Sequence, residues 1–241
     1  MIAFLLAAAL HYDVLISAGH EGRPASCPHF PQHKCNLGAA GERDWTPVVA
    51  DAATKILRAH GVTVARLPAD FEGTYDVGDA VFLHFDGADP ACSSGASIGF
   101  HTSASEEGAK AWHHLYAAYF PFRWEPDDFT VGLRDYYAYK QVDAADASMV
   151  LELGEISCPA QHAWLEPRLQ WEGALLAYFL SQRTGKGNVP EIRVIVTPLF
   201  ARKFVKTVKE RNKHPGPQQR INLSWRKNSS PAGIQDLLRA I

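Results

Sequence analysis

No apolar run in the sequence approaches the roughly 20 residues that a membrane-crossing helix needs, so no segment reads as a transmembrane span. A basic excess is missing too: 24 Lys+Arg stand against 26 Asp+Glu in 241 residues, a net charge of −2, and no nucleic-acid partner is expected for the chain as a whole. Cysteine is scarce, with four residues, too few for a disulfide scaffold. No internal repeat is visible. What remains is an ordinary globular composition, 46% hydrophobic and 21% charged, in a length that suits one α/β domain with a small appendage.

The near-neutral total conceals a split. Residues 190–241 hold 11 Lys+Arg and 3 Asp+Glu, a net +8, whereas residues 1–189 hold 13 and 23, a net −10. A basic tail on an acidic body suits a polyanionic partner such as a cell-wall polymer, a membrane surface or nucleic acid, although a solvated basic helix has the same composition. The stretch Met1 to Leu10 resembles the apolar core of an export signal, and the alternative is a buried helical cap. Cys27 and Cys35 bracket a short loop and leave Cys92 and Cys158 as a second pair, an arrangement that favours an oxidising compartment. Cys27, His29, His33 and Cys35 also read as a zinc knuckle, and the two readings compete.

Along the chain, residues 12–18 form an apolar run that delivers Gly19-His20-Glu21-Gly22, as a buried strand delivers a loop. Residues 21–41 lack periodicity and read as a loop. Helical spacing of Val48, Val49, Ala52, Ile56 and Leu57 predicts a helix over 44–60, stopped at Gly61 and followed by a strand at 62–67. Further strands are expected at 80–84 and 148–153, a loop between 86 and about 97, and helices over 105–119 and 161–182. Strands alternating with helices predict a mostly parallel twisted sheet with helices on both faces. The tail predicts a small basic βαβα appendage. The expected division is a domain over 10–184, a linker at 185–190 and a C-terminal module over 191–241.

Three side chains suited to a borderline metal emerge at strand ends or beside a helix start: His20, Glu42 and His84. Ligands gather at the carboxyl ends of strands in open α/β sheets, and a His/Glu/His set leaves one coordination position open for water. Spacing alone leaves the ordinary alternative standing, in which a histidine at a strand end is a hydrogen-bonded structural residue. Glu152 ends an otherwise apolar run, where a carboxylate facing a cleft would serve as general base. Glu155 is its rival, or else a solvated loop charge.

In order, the segments ISAGHEG at 16–22, GERDW at 41–45, VFLHFDG at 81–87, GLRDYYAY at 132–139 and MVLELGEIS at 149–157 resemble the blocks of the zinc-dependent N-acetylmuramoyl-L-alanine amidases, the peptidoglycan amidases of bacterial autolysins and phage endolysins. The resemblance covers about residues 12–182. It implies that His20, Glu42 and His84 bind Zn2+, that Glu152 is the catalytic glutamate, and that the substrate is the amide between the lactyl group of N-acetylmuramic acid and L-alanine. It further implies action at the cell wall, extracellular or periplasmic, where the charge of the basic module would suit contact with anionic wall polymers. Arg134 matches a basic position that suits a stem-peptide carboxylate, and His101 is a second substrate-binding candidate.

The sequence departs from the family pattern at Glu21, at Phe85-Asp86-Gly87, at Glu155 and in the longer segments 24–37 and 86–101, which bear on substrate fit. Trp112, His113 and His114 read as helix packing, and Tyr136, Tyr137 and Tyr139 as groove lining or edge packing. A zinc carboxypeptidase acting on peptides and a non-catalytic wall-binding protein are the alternative functions.

Overall fold

The computed structural model describes residues 11–24 and 36–190. The Cys27–Cys35 pairing, the alternative zinc knuckle, the apolar N-terminus and the basic C-terminal module all lie outside the described residues.

Five strands form one sheet in the order β2-β1-β3-β5-β4. They are β1 (His11–Ala18), β2 (Val64–Leu67), β3 (Tyr75–Asp86), β4 (Ser97–Phe100) and β5 (Val142–Glu155). β2, β1, β3 and β5 run parallel, and β4 adds to the edge of β5 in the antiparallel sense. The continuous apolar runs match this arrangement, since parallel strands are covered on both faces. β1 is buried from Asp13 to Ala18. Both β3 and β5 begin five or six residues earlier than their apolar runs, at Tyr75 and Val142. These early halves carry Asp76, Asp79, Asp143 and Asp146, and the ladder between β3 and β5 continues through them.

Alternate residues of β5 point to opposite layers, as the pleat requires. Ala147 and Met149 face α2 (Ser103–Tyr116), where Gly108 comes within van der Waals reach of both. Trp112 of α2 then meets Phe179 of α5 (Leu169–Thr184) edge-on. α5 in turn packs on α1 (Glu42–Ala59), with Gly173 against Val49 and Ala52. Val150 lies in the other layer, in a cluster with Leu15, Phe71, Phe82, Leu133 and Ala138. That layer is built from α3 (Val131–Arg134) and a 3-10 turn over Tyr137–Gln141. Helices therefore lie on both faces, three long ones on one side and short ones on the other.

One continuous helix over 161–182 does not form. α4 (Pro159–Leu165) gives way to a 3-10 turn at Glu166–Arg168 before α5 begins. Pro167 has no N–H for the helical ladder and crowds the preceding turn, so the helix breaks there. Arg168 reaches back to the Trp164 carbonyl at 2.6 Å and takes up one of the carbonyls released. The strand expected over 62–67 starts at Val64, and the helix over 105–119 runs over 103–116. Cys92 and Cys158 are joined by a disulfide that ties the β3–β4 loop to the start of α4.

Candidate functional site

The strand order reverses beside β1. The chain passes from β1 to β2 on one side and then to β3 on the other, and the carboxyl ends of strands at such a switch point frame a cleft. His20 follows β1 by two residues, and His84 lies near the end of β3. The two strands close tightly here. Gly19 N–H donates to the Leu83 carbonyl at 2.8 Å. A Cβ on Gly19 would stand 2.4 Å from that oxygen and 2.5 Å from the His84 ring, so only glycine permits the approach. Thr46 of α1 donates to the Gly19 carbonyl at 2.6 Å and fixes the same turn from the helix side.

Glu42 is the first residue of α1 rather than the residue before it, and it projects between the two histidines. Its Oε1 lies 2.9 Å from His84 Nδ1 and 3.3 Å from His20 Nε2. The backbone N–H groups of Phe85 and Ala39 donate to Oε1 and Oε2. The histidine rings meet edge to face, 5.0 Å between centroids. Burial pushes the Glu42 carboxyl up, but the hydrogen bonds and charges of His20 and His84 outweigh it and hold the group far below the usual carboxylate range. His20 itself sits at φ 61, a conformation that costs a non-glycine residue about 1–3 kcal/mol and gathers at functional sites.

Each histidine has its far nitrogen fixed. His20 Nδ1 lies 2.6 Å from the Asn36 carbonyl and 3.0 Å from the Arg23 guanidinium, which hold the ring from its outer side while Nε2 faces Glu42. Arg23 donates to the same carbonyl and is itself clamped by two bonds to Asp70. On the other side, His84 Nε2 lies 3.0 Å from the Tyr136 hydroxyl. Burial and the neighbouring Tyr137 hold the Tyr136 phenol well above its usual range, so it stays a neutral hydroxyl. Such outer partners orient metal-binding imidazoles and set which nitrogen is free.

Glu152 stands on β5 directly opposite His84, with Ser97 of β4 opposite it on its other side. Its Oε2 is buried and has no hydrogen-bond partner among the described residues. Burial first, and then the charges of Glu42 and Asp86, push its carboxyl well above the usual range.

Glu155 is not a solvated charge. It is 0% exposed, and its oxygens accept from Cys92 N–H, Ser94 N–H and the Ser157 hydroxyl. Its own N–H donates to Gln161. It anchors the β3–β4 loop next to the disulfide. Glu155→Gln places an amide donor against backbone N–H donors and should lower folding stability by about 1–3 kcal/mol with bound metal retained. Denaturant unfolding and metal analysis check this, and unchanged stability with lost hydrolysis would return Glu155 to the role of base.

The two proposed substrate contacts lie together but away from this end of β5. His101 stacks on Tyr139 and sits 3.4 Å from the Arg134 carbonyl, and the Arg134 guanidinium donates to the Asp128 carbonyl. Because β4 runs antiparallel, Phe100 pairs with Met149, three residues below Glu152, which is about 10 Å along the strand. The residues that sequence reasoning missed are Arg23, Asn36 and Asp70. Their only sequence signal is Arg23 in a polar turn, and the contacts that give it meaning are with residues 13 and 47 positions away.

No protein-family model and no curated protein matches the sequence. Solved structures do match. The N-acetylmuramyl-L-alanine amidase Ami1 from Mycobacterium smegmatis superposes over 71% of this chain and 96% of its own, with a TM-score of 0.51 at 16% identity. The chain has the amidase fold. Cwp6 from Clostridium difficile superposes with a TM-score of 0.53 at 14% identity over 73% of this chain, which spans 30% of Cwp6. At the switch point His20, Glu42 and His84 form a group that could hold a metal ion, with donor atoms all within 4.8 Å of one another, and Glu152 lies on the strand beside it.

Proposed function

We propose that the chain is a zinc-dependent N-acetylmuramoyl-L-alanine amidase that hydrolyses the amide between the lactyl group of N-acetylmuramic acid and L-alanine of the peptidoglycan stem. The observation that carries this reading is the meeting of two histidines and a carboxylate beside an unpartnered, buried glutamate oxygen, on an amidase fold.

The donor set fits zinc. Two imidazoles with their far nitrogens already engaged, and one carboxylate between them, make the three-ligand set that leaves a position open. His20, Glu42 and His84 would hold the ion. When bound, zinc supplies a Lewis acid for the lactyl carbonyl and lowers the pKa of a water to about 7.

The chain's own groups supply the remainder. Glu152, whose free Oε2 faces no competing donor, takes the proton of the attacking water and returns it to the departing L-alanine nitrogen. Burial and the charges of Glu42 and Asp86 push this carboxyl upward from its ordinary range, the direction that makes it a stronger proton acceptor. Asn36, Arg23 and Tyr136 keep the imidazoles from rotating out of place. Arg134 and His101 are proposed as contacts for the stem peptide some distance from the scissile bond.

Action at the cell wall, in an extracellular or periplasmic compartment, belongs to the same proposal and agrees with the Cys92–Cys158 disulfide. No helix among the described residues is long and apolar enough to cross a membrane. The +8 segment over 190–241 is proposed to hold the −10 body on anionic wall polymers.

Purified protein should lower the turbidity of a cell-wall suspension, lose that activity to a chelator and regain it with one equivalent of zinc. Wall binding without turbidity loss in the zinc-loaded protein would favour the non-catalytic alternative.

A further inference from the structure

The register between β3 and β5 slips directly after the site. His84 pairs with Glu152, but the next pair is Asp86 with Glu155, so β5 carries one residue more than β3 across this interval. Gly154 occupies the bulge at φ 147, where a Cβ would press on Phe120 and Leu165 at 3.0 Å. Bulges re-aim the side chains around them, and here those are Glu152 before the bulge and Glu155 after it.

The Leu153 carbonyl lies inside the bulge and is satisfied by a side chain. Tyr116 of α2 donates its hydroxyl to that oxygen at 2.7 Å. The same hydroxyl oxygen is 3.0 Å from Glu172 Oε1 on α5. Tyr116 and Glu172 are both 0% exposed, and the buried Glu172 Oε2 has no hydrogen-bond partner among the described residues.

Counting protons decides the state of this pair. A phenol has one hydrogen to donate, and a backbone carbonyl has none. The Tyr116 hydrogen belongs to the shorter contact, with Leu153. The contact with Glu172 then needs a hydrogen from the carboxyl itself, because an ionised carboxylate would turn lone pairs against the lone pairs of the phenol. Burial holds the Glu172 carboxyl well above its usual range, against opposing pulls from Tyr116 and the Arg168 charge. Leaving a buried carboxylate oxygen unpartnered is also costly when it is charged and less so when it is neutral.

We propose that Glu172 is a positioning residue for Glu152: as a neutral acid it donates to Tyr116, Tyr116 donates to the Leu153 carbonyl, and this relay from the helix layer fixes the bulge that aims Glu152 at its substrate. The proposal rests on the reading of Glu152 as the general base. It assigns a buried acid and a buried phenol, neither of which touches the metal cluster, to the hydrolytic site.

The test uses the full chain with zinc bound and compares Glu172→Gln, Glu172→Leu and Tyr116→Phe. Bound zinc, unfolding midpoint, kcat and KM on a soluble muropeptide are measured for each. Infrared difference spectra of wild type against Glu172→Gln at neutral pH report whether the carboxyl is protonated. Glu172→Gln keeps a donor of the same shape and should hold kcat near the wild-type value. Glu172→Leu and Tyr116→Phe should lower kcat by about 10–100-fold, as small misplacements of a catalytic group do, with KM and zinc content unchanged. The infrared spectrum should show the carbonyl stretch of a protonated acid.

Loss of kcat in Glu172→Gln equal to that in Glu172→Leu would overturn the proposal, because the charge and not the donor would then be needed. So would variants that lose only stability while kcat stays intact, or a spectrum without the acid band. A wild-type protein without hydrolytic activity would overturn the amidase reading instead, and the infrared measurement would still decide whether Glu172 carries its proton.

Discussion

Replacing Glu152 with Ala is expected to leave a full equivalent of zinc bound and to lower the rate of amide hydrolysis by about 10²–10⁴-fold, the range a positioned acid-base group contributes. The reasoning is geometric. Glu152 lies on the strand next to His84, but it is not among the three groups whose donor atoms converge, and its Oε2 has no hydrogen-bond partner among the described residues. Its removal therefore takes away the proton acceptor and leaves the ligands and their supports in place. The same variant relieves a like-charge contact with Glu42 and a buried carboxyl, so stability should hold or rise. Zinc analysis, unfolding and kinetics on one preparation check all three. Loss of zinc together with activity would make Glu152 a ligand and not a base.

A second substitution separates the metal from the base. His84→Ala or His20→Ala should remove most of the bound zinc and all measurable hydrolysis. Either change leaves two of the three donors and deprives the buried Glu42 of one of the two imidazoles that keep it ionised. The expected cost to folding is also real, because a buried carboxylate that loses a partner keeps its desolvation penalty. Retention of a full zinc equivalent by His20→Ala would show that the ligand set is wrong.

The site was legible in the sequence to the extent that its residues sit where strands deliver them. His20 and His84 end apolar runs, and Glu42 opens an amphipathic helix, so position along the chain already places all three at one edge of a sheet. Their convergence was legible only through the order of the blocks, because periodicity says nothing about which strands are neighbours. Glu152 and Glu155 show where local pattern stops. They are three residues apart in one apolar run, and what distinguishes them is a bulge at Gly154 and backbone donors 61 and 63 residues away in the β3–β4 loop. The four-residue β4, set in a segment rich in Gly and Ser, carries too little alternation to stand out as a strand. Pro167 signals the break between α4 and α5 in the sequence itself, against apolar spacing that continues on both sides of it.

The supporting groups were the hardest to foresee. Arg23 and Asn36 lie in the stretch 21–41, whose sequence lacks hydrophobic periodicity, and their importance comes from a single carbonyl that aligns the His20 ring. Tyr136 looked like groove lining or edge packing. It is half-buried beside Phe82 and Tyr139, and its hydroxyl meets His84.

The central claim is the bond that is cut. Mass spectrometry of the products released from purified peptidoglycan by the zinc-loaded protein tests it most directly. The account predicts glycan strands ending in a free lactyl carboxylate and stem peptides with a new amino terminus on L-alanine. Products cleaved within the stem peptide, with the lactyl amide intact, would contradict it and point to a zinc peptidase on the same fold.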